Sequence, residues 1–265
     1  MQELTKRIIS GACIGPIILL LFFFLPARLL LLFLFIVACL ATAELLSISG
    51  TKDKLLVGAL AVLSVIPLYG TSPSAFIIWL MFSPLVILIH RMIVPGEESQ
   101  GVNEEIAGRL IVLVVSQIFI VLPLFYLYRL QRVNVYFPII LILTIWASDT
   151  GAYFIGKSIG KKRLVPQISP KKTCAGLFGA LFGGAVLTVA FGKMLGMNIA
   201  ESIFVGAMIG LLGQLGDIFE SIAKRVYNVK DSSALIPGHG GMLDRIDSFL
   251  FSTPFLYHYL MGFAK

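Results

Sequence analysis

The sequence predicts an all-α, polytopic membrane protein with about nine transmembrane helices. Of its 265 residues, 58% are hydrophobic and only 13% are charged, and the mean hydropathy is +0.95. Apolar runs of roughly twenty residues, the length of a helix that crosses a bilayer, recur from end to end. This composition excludes an ordinary soluble domain. The net charge of +7 does not indicate nucleic-acid binding, which would require a soluble basic domain.

The N-terminal region, residues 1–133, is predicted to hold about five transmembrane helices. They cover residues 8–26, 29–49, 55–69, 75–92 and 106–127. The first run is long for the apolar core of a signal peptide and lacks a small-residue cleavage site before Arg28, so we expect a retained helix. Polar turns at 51–54 and 95–101 separate neighbouring spans.

The C-terminal region, residues 134–265, is predicted to hold the other spans and the cytoplasmic loops. The spans cover residues 135–154, residues 175–195, a helix that starts near 199 and runs into a polar face at 217, and residues 241–263. A basic loop, 156–173, ends in the segment Ser-Pro-Lys-Lys-Thr. The span that follows this loop is rich in glycine, which permits close helix packing.

The distribution of Lys and Arg predicts the orientation. With nine spans and a cytoplasmic N-terminus, most of the 21 Lys and Arg face the cytoplasm, as the positive-inside rule requires. Five fall on the other side: Arg28, Arg129, Arg132, Lys193 and Lys265. The basic loop and the turn at 237–241 then lie on the same side. We therefore expect a cytoplasmic-side active-site cavity.

The most polar stretch, residues 215–247, predicts a metal site. Four residues occupy positions i, i+3, i+4 and i+7 of one helix face: Asp217, Glu220, Ser221 and Lys224. A second helix is predicted from Met242, with Asp244 and Asp247 on one of its faces. Carboxylates are preferred ligands of Mg²⁺, so Asp217, Asp244 and Asp247 are the predicted metal ligands.

Basic residues and a glycine-rich turn accompany these carboxylates and predict phosphate binding. The basic residues are Lys224, Arg225, Lys230 and Arg245. The turn contains His239, Gly240 and Gly241, and its glycines leave backbone N–H groups open to a ligand. Together the two groups indicate a site for a cation and a phosphate.

Polar residues elsewhere in the apolar chain add candidates. A carboxylate at membrane depth costs about 2.5–3.5 kcal/mol, so Glu44 and Asp149 are expected to face the bundle interior or an aqueous cavity. Asp149 is the stronger functional candidate, while Glu44 could equally bond a neighbouring helix. Residues 169–173, just before a predicted helix, favour a phosphate site. The alternative is that the basic loop only marks topology and attracts anionic lipid.

Several segments in the C-terminal half carry a resemblance to a known family. They are Ser-Asp-Thr-Gly-Ala-Tyr at 148–153, Ser-Pro-Lys-Lys-Thr at 169–173, Ser-Ile-Ala-Lys-Arg at 221–225, Lys-Asp at 230–231 and Pro-Gly-His-Gly-Gly-Met-Leu-Asp-Arg-Ile-Asp at 237–247. In this order the segments closely resemble the phosphatidate cytidylyltransferase, or CDP-diacylglycerol synthase, family. One position departs from the pattern: Ala175 precedes Gly176, where the family usually has a glutamate.

The resemblance implies a Mg²⁺-dependent nucleotidyltransferase that condenses CTP with phosphatidic acid to give CDP-diacylglycerol and pyrophosphate. It also implies a second, monovalent cation such as K⁺, a homodimer, and a prokaryotic inner membrane with the active site cytoplasmic. The implied catalytic residues are Asp217, Lys224, Arg225, Asp244 and Asp247. The implied substrate-binding residues are Asp149, Ser169, Lys171, Lys172, Thr173, Ser221, Lys230, Asp231, His239, Gly240, Gly241 and Arg245.

Three other functions were weighed against this one. A membrane lipid kinase or a CDP-alcohol phosphotransferase is a different enzyme, and the Asp-Gly to Asp pattern of the latter is not found in the sequence. A cation transporter would spread polar residues through several spans of both halves, whereas here they concentrate in the C-terminal half. A purely structural subunit does not account for the clustered charge.

Overall fold

The computed structural model describes residues 14–70, 73–94, 102–233, 235 and 240–262 as a bundle of apolar helices. In the N-terminal half the helices are α1 (Ile14–Phe24), α2 (Ala27–Ile48), α3 (Lys54–Leu63), α4 (Val65–Gly70), α5 (Pro73–Ile93), α6 (Val102–Val115) and α7 (Leu122–Val133). A π-helical segment, Ser116–Val121, joins α6 to α7, so that one continuous helix runs from Asn103 to Val133.

The C-terminal half contains five further helices and a small hairpin. In chain order these are α8 (Tyr136–Ile159), β1 (Arg163–Val165), β2 (Ser169–Thr173), α9 (Cys174–Phe191) with a 3₁₀ turn (Gly192–Leu195), α10 (Ile199–Val226), α11 (Leu243–Ile246) and α12 (Phe249–Gly262). Helix α9 packs along both α8 and α10, and α11 contacts α2. Helices α8 and α12 also contact α7, so the two halves of the chain meet at α8, α11 and α12.

Among the residues that the structure describes, six helices are long and apolar enough to cross a membrane, and we treat the chain as an integral membrane protein. Six predicted spans, those starting at residues 29, 75, 106, 135, 175 and 199, each fall on one of these helices. The third predicted span is divided into α3 and α4, and the ninth into α11 and α12, which has 14 residues. The count of nine stays a prediction.

The basic loop contains an antiparallel hairpin that the sequence did not indicate. Arg163 pairs with Thr173 and Val165 with Ser169. The segment 169–173, expected to precede a helix, is strand β2 and leads directly into α9, where the hydroxyl of Thr173 accepts a hydrogen bond from Gly176 N. The hairpin thereby holds Lys172 at the N-terminal end of α9.

Glycines allow α8, α9 and α10 to approach each other closely, as the composition of the seventh span predicted. A Cβ atom on Gly179 of α9 would collide with the carbonyl of Gly151 on α8, and one on Gly184 would collide with the carbonyl of Gly206 on α10. This packing fixes the relative positions of the helices that carry Asp149 and Asp217.

Candidate active site

The polar face of α10 has the geometry that its spacing predicted. Ser221 Oγ donates to Asp217 Oδ1 at 3.3 Å, and Lys224 Nζ pairs with Glu220 Oε2 at 2.7 Å. Each pair joins residues four positions apart, one helical turn. These four side chains form the base of the site.

Lys172 connects the hairpin to this face. Its ammonium lies 2.8 Å from Asp217 Oδ2 and donates to Gln214 Oε1 at 3.0 Å. The amide group of Gln214 in turn donates to Asp149 Oδ1 at 3.1 Å. Residues of β2, α10 and α8 are thus joined in one polar chain, and the end of the basic loop lies on the same side of the bundle as Asp217.

Lys224 makes a second connection, between α10 and α11. Its ammonium lies 2.6 Å from Asp244 Oδ1 as well as 2.7 Å from Glu220 Oε2, and the exposed fractions of the three side chains are 12% or less. Removing one partner from such a buried group costs about 3–5 kcal/mol, because the remaining charge is left uncompensated. The position of α11 therefore depends on Lys224.

A third group of carboxylates lies beside these pairs. One ligand oxygen from each of Asp217, Glu220 and Asp247 falls within 4.8 Å of the others. Asp247 can approach so closely because a Cβ atom on Gly216 would collide with its carbonyl oxygen. Among the described residues, the buried Oε1 of Glu220 accepts no hydrogen bond. This donor set fits a hard divalent cation, which prefers carboxylate oxygens.

Formal charge supports the same fit. The carboxylates in contact across the site are Asp149, Asp217, Glu220, Asp244 and Asp247. Only Lys172 and Lys224 form ion pairs with them among the residues that the structure describes. Carboxylates thus outnumber their lysine partners, and a bound cation would offset the excess negative charge.

Two aspartates outside the six long helices differ in their acidity. Burial, together with the nearby negative charge of Asp217, raises the pKa of Asp247 to about 7. Burial alone would also raise the pKa of Asp244, but the hydrogen bonds that it accepts from Lys224 and the Gly241 backbone outweigh burial and lower the pKa to about 2. Asp244 is thus held as an anion, whereas ionised Asp247 is favoured by a neighbouring cation.

The end of the glycine-rich turn folds onto Asp244. Gly241 N donates to Asp244 Oδ2 at 2.8 Å, and Ser232 Oγ lies 3.2 Å from the same oxygen. Gly240 has a φ of 81°, which favours glycine, and a Cβ atom there would collide with Asp244 Oδ2. His239 lies outside the described residues.

Other predicted site residues lie around this centre without bonding to it. Arg225 is exposed and donates to Val229 O at 3.2 Å. Arg245 is exposed, although its charge influences Asp247. The remaining predicted residues are exposed Lys171, Lys230 and Asp231, partly buried Ser169, and Thr173, the N-cap of α9. The prediction that they bind substrate stays a prediction.

Four contributors were missed or undervalued in the sequence. Gln214 precedes Asp217 by three residues and shares its face, a spacing that could have identified it. Glu220 was placed on the face but not counted as a metal ligand. Ser232 and Glu44 meet only in three dimensions, so no local pattern could have paired them.

Comparisons with known proteins agree with the motif resemblance. The model of the family described as "Cytidylyltransferase family" matches residues 5–263. A protein named phosphatidate cytidylyltransferase from Bacillus subtilis (strain 168) is 47% identical over 124 residues, 46% of this chain and 46% of that protein. One from Staphylococcus aureus (strain COL) is 41% identical over 133 residues, 49% of this chain and 51% of that protein.

A longer alignment extends over both halves. A phosphatidate cytidylyltransferase from Staphylococcus epidermidis (strain RP62A) is 33% identical over 247 residues, 90% of this chain and 94% of that protein. The chain thus spans about half the length of the first two relatives and nearly all of the third.

The carboxylate group predicts a measurable cation effect. Mg²⁺ should raise the unfolding temperature of the detergent-purified protein, and Asp247→Asn should weaken the apparent affinity at least about tenfold. Below the pKa of about 7 a proton on Asp247 competes with the cation, so the affinity should be higher at pH 8 than at pH 6.

The matched control is Glu104→Gln, which changes an exposed acid on α6. It should leave both the affinity for Mg²⁺ and its dependence on pH unchanged. If Mg²⁺ stabilises the Asp247→Asn protein as strongly as it stabilises the unmodified chain, the assignment of this carboxylate as a ligand is contradicted.

Proposed function

Because this chain belongs to the cytidylyltransferase family, we propose that it condenses CTP with phosphatidic acid to form CDP-diacylglycerol and pyrophosphate. The observation that carries the proposal is the group of carboxylates and lysines where β2, α10 and α11 meet, in a chain whose long helices are apolar. Relatives named for this reaction support it, one of them aligned over 90% of the chain.

The reaction requires the protein to bring two anions together. An oxygen of the lipid phosphate attacks the α-phosphorus of CTP, a P–O bond forms, and the bond to the β-phosphate breaks as pyrophosphate leaves. The attacking oxygen is already largely deprotonated near neutral pH, so no general base is required. Catalysis then consists mainly of neutralising charge and aligning the reactants.

The basic residues are proposed to supply the charge for phosphate binding. Lys224, Arg225 and Lys230 bind the triphosphate or the departing pyrophosphate. Lys171 and Lys172 bind a phosphate of either CTP or the lipid. The small exposed fraction of the Lys172 and Lys224 side chains supports a strong effect, since fixed charges act more strongly where water is largely excluded.

The proposed cofactor is Mg²⁺, held by Asp217, Glu220 and Asp247. When bound, it would neutralise phosphate charge and stabilise the negative charge that develops during transfer. Asp244 stays a predicted ligand, and its ion pair with Lys224 also suits it to orient that lysine. A second, monovalent cation such as K⁺ belongs to the same proposal.

The membrane arrangement follows from the two substrates. Phosphatidic acid stays in the bilayer, so the site opens sideways toward lipid while CTP enters from the cytoplasm. We place the N-terminus and the site on the cytoplasmic side of a prokaryotic inner membrane, on the strength of the charge distribution. A homodimer and the division of the chain at residue 133 are parts of this proposal.

The reaction can be tested directly in vesicles or detergent micelles. Label from α-³²P-CTP should enter lipid only when phosphatidic acid is supplied, and chelation of divalent cations should abolish the transfer. A folded, membrane-inserted protein that yields no labelled lipid under these conditions would contradict the proposal. It would favour another phosphate-bearing lipid acceptor, and after that ion transport.

Substitution of two lysines in the basic loop distinguishes a role in phosphate binding from a role in membrane topology alone. Lys172→Ala should lower kcat/KM roughly 100-fold, because it removes an ammonium fixed against Asp217 and Gln214. Lys162→Ala, which removes an exposed ammonium of the same loop, should change kcat/KM less than about twofold. Equal, small effects in steady-state assays would leave the loop with a topological role alone.

A further inference from the structure

The side chain of Glu44, near the end of α2, receives four hydrogen bonds from the segment that precedes and forms α11. Its Oε1 accepts from Ser233 Oγ at 2.6 Å and from Met242 N at 2.9 Å. Its Oε2 accepts from Ser232 Oγ and from Leu243 N, both at 2.9 Å. Glu44 is only 8% exposed, and among the described residues no lysine or arginine pairs with it. Four neutral donors therefore take the place of water around this carboxylate.

These donors lie at the two ends of one loop. Ser232 and Ser233 are at its beginning, and Met242 and Leu243 are at its end, so Glu44 closes the loop between them. The fit is tight, because a Cβ atom on Gly241 would collide with both Ser232 Oγ and Glu44 Oε2. Without this carboxylate the backbone N–H groups of Met242 and Leu243 would lack their acceptor.

Helix α11, which begins at Leu243, carries the acidic side chain that orients Lys224. Ser232 Oγ lies within hydrogen-bond distance of both Glu44 Oε2 and Asp244 Oδ2, and Gly241 N donates to Asp244 Oδ2. Asp244 in turn pairs with Lys224. Glu44 is thus connected to the proposed phosphate-binding lysine through one shared hydroxyl and one carboxylate.

We propose that Glu44 is a positioning residue for the site: it holds Ser232 and Ser233 against Met242 and Leu243, and thereby sets the position of Asp244. The expected change in KM for CTP rests on the proposed function, whereas the hydrogen bonds of Glu44 do not depend on that function. Glu44 touches no substrate. It makes α2, in the N-terminal half, a part of the machinery that binds phosphate.

The test compares Glu44→Gln and Glu44→Asp with Thr42→Val. Glutamine keeps the size of the side chain but puts an amide donor where an oxygen accepts, so at least one donor of the loop loses its partner. Aspartate keeps both oxygens on a side chain shorter by one methylene. Thr42 is buried on the same helix, and its hydroxyl has no hydrogen-bond partner among the described residues, so Thr42→Val should leave kinetics and loop exchange unchanged.

The kinetic readout separates positioning from mere folding. Displacing the loop should raise the KM for CTP in Glu44→Gln at least about tenfold, the loss expected for one charge-assisted hydrogen bond. Glu44→Asp should restore part of that loss. A purely structural role would lower the amount of active enzyme, and hence apparent kcat, with an unchanged KM and no advantage of aspartate over glutamine. That pattern would overturn the proposal.

Hydrogen–deuterium exchange tests the position of this segment independently of enzyme activity. In Glu44→Gln the amides of residues 240–243 should exchange at least about tenfold faster than in the unmodified protein, while peptides from α8 and α9 stay unchanged. Unchanged exchange at 240–243 would overturn the proposal even if the enzyme is active. Failure of the unmodified protein to label lipid would overturn the proposed function instead, and exchange would still test Glu44.

Discussion

The ion pairs of Lys224 with Glu220 and Asp244 are the interaction on which the site depends. They fix α11 against α10, and the ion pair of Lys172 with Asp217 does the same for β2. In an apolar chain, buried charged side chains are stable only when they form ion pairs, because an unpaired buried charge costs several kcal/mol. The need to balance charge therefore brings together residues from separate parts of the chain and creates the excess of carboxylates that suits a cation.

Hydropathy and helical spacing predicted much of this arrangement. The length of the apolar runs located six long helices, and the i, i+4 spacing gave the Asp217–Ser221 and Glu220–Lys224 contacts. The hairpin was missed because its strands have only three and five residues and lack an alternating apolar pattern. Periodicity also could not show that Asp244 faces Lys224 while Asp247 approaches Glu220, since that depends on how α11 packs.

Glu44 shows the limit of local reasoning most clearly. Its partners Met242 and Leu243 are 198 and 199 residues away in sequence, and nothing near residue 44 identifies them. The free-energy cost of placing a carboxylate in an apolar helix predicted that Glu44 has hydrogen-bonding partners. The structure identifies these partners in the segment around α11. The division at residue 133 stays a prediction, and the bonds of Glu44 cross it. Helix α2 of the N-terminal half is therefore bonded directly to the segment that carries Asp244.

Asp217, Glu220 and Asp247 are proposed to hold the cation that neutralises the phosphates. Crystals of the protein grown with Mn²⁺ in place of Mg²⁺ and measured at the manganese absorption edge would locate this ion. If the three side chains are its ligands, an anomalous peak will lie within about 2–2.5 Å of an oxygen from each of them. Saturating Mn²⁺ that gives no peak there, or a peak only elsewhere in the molecule, would contradict this assignment.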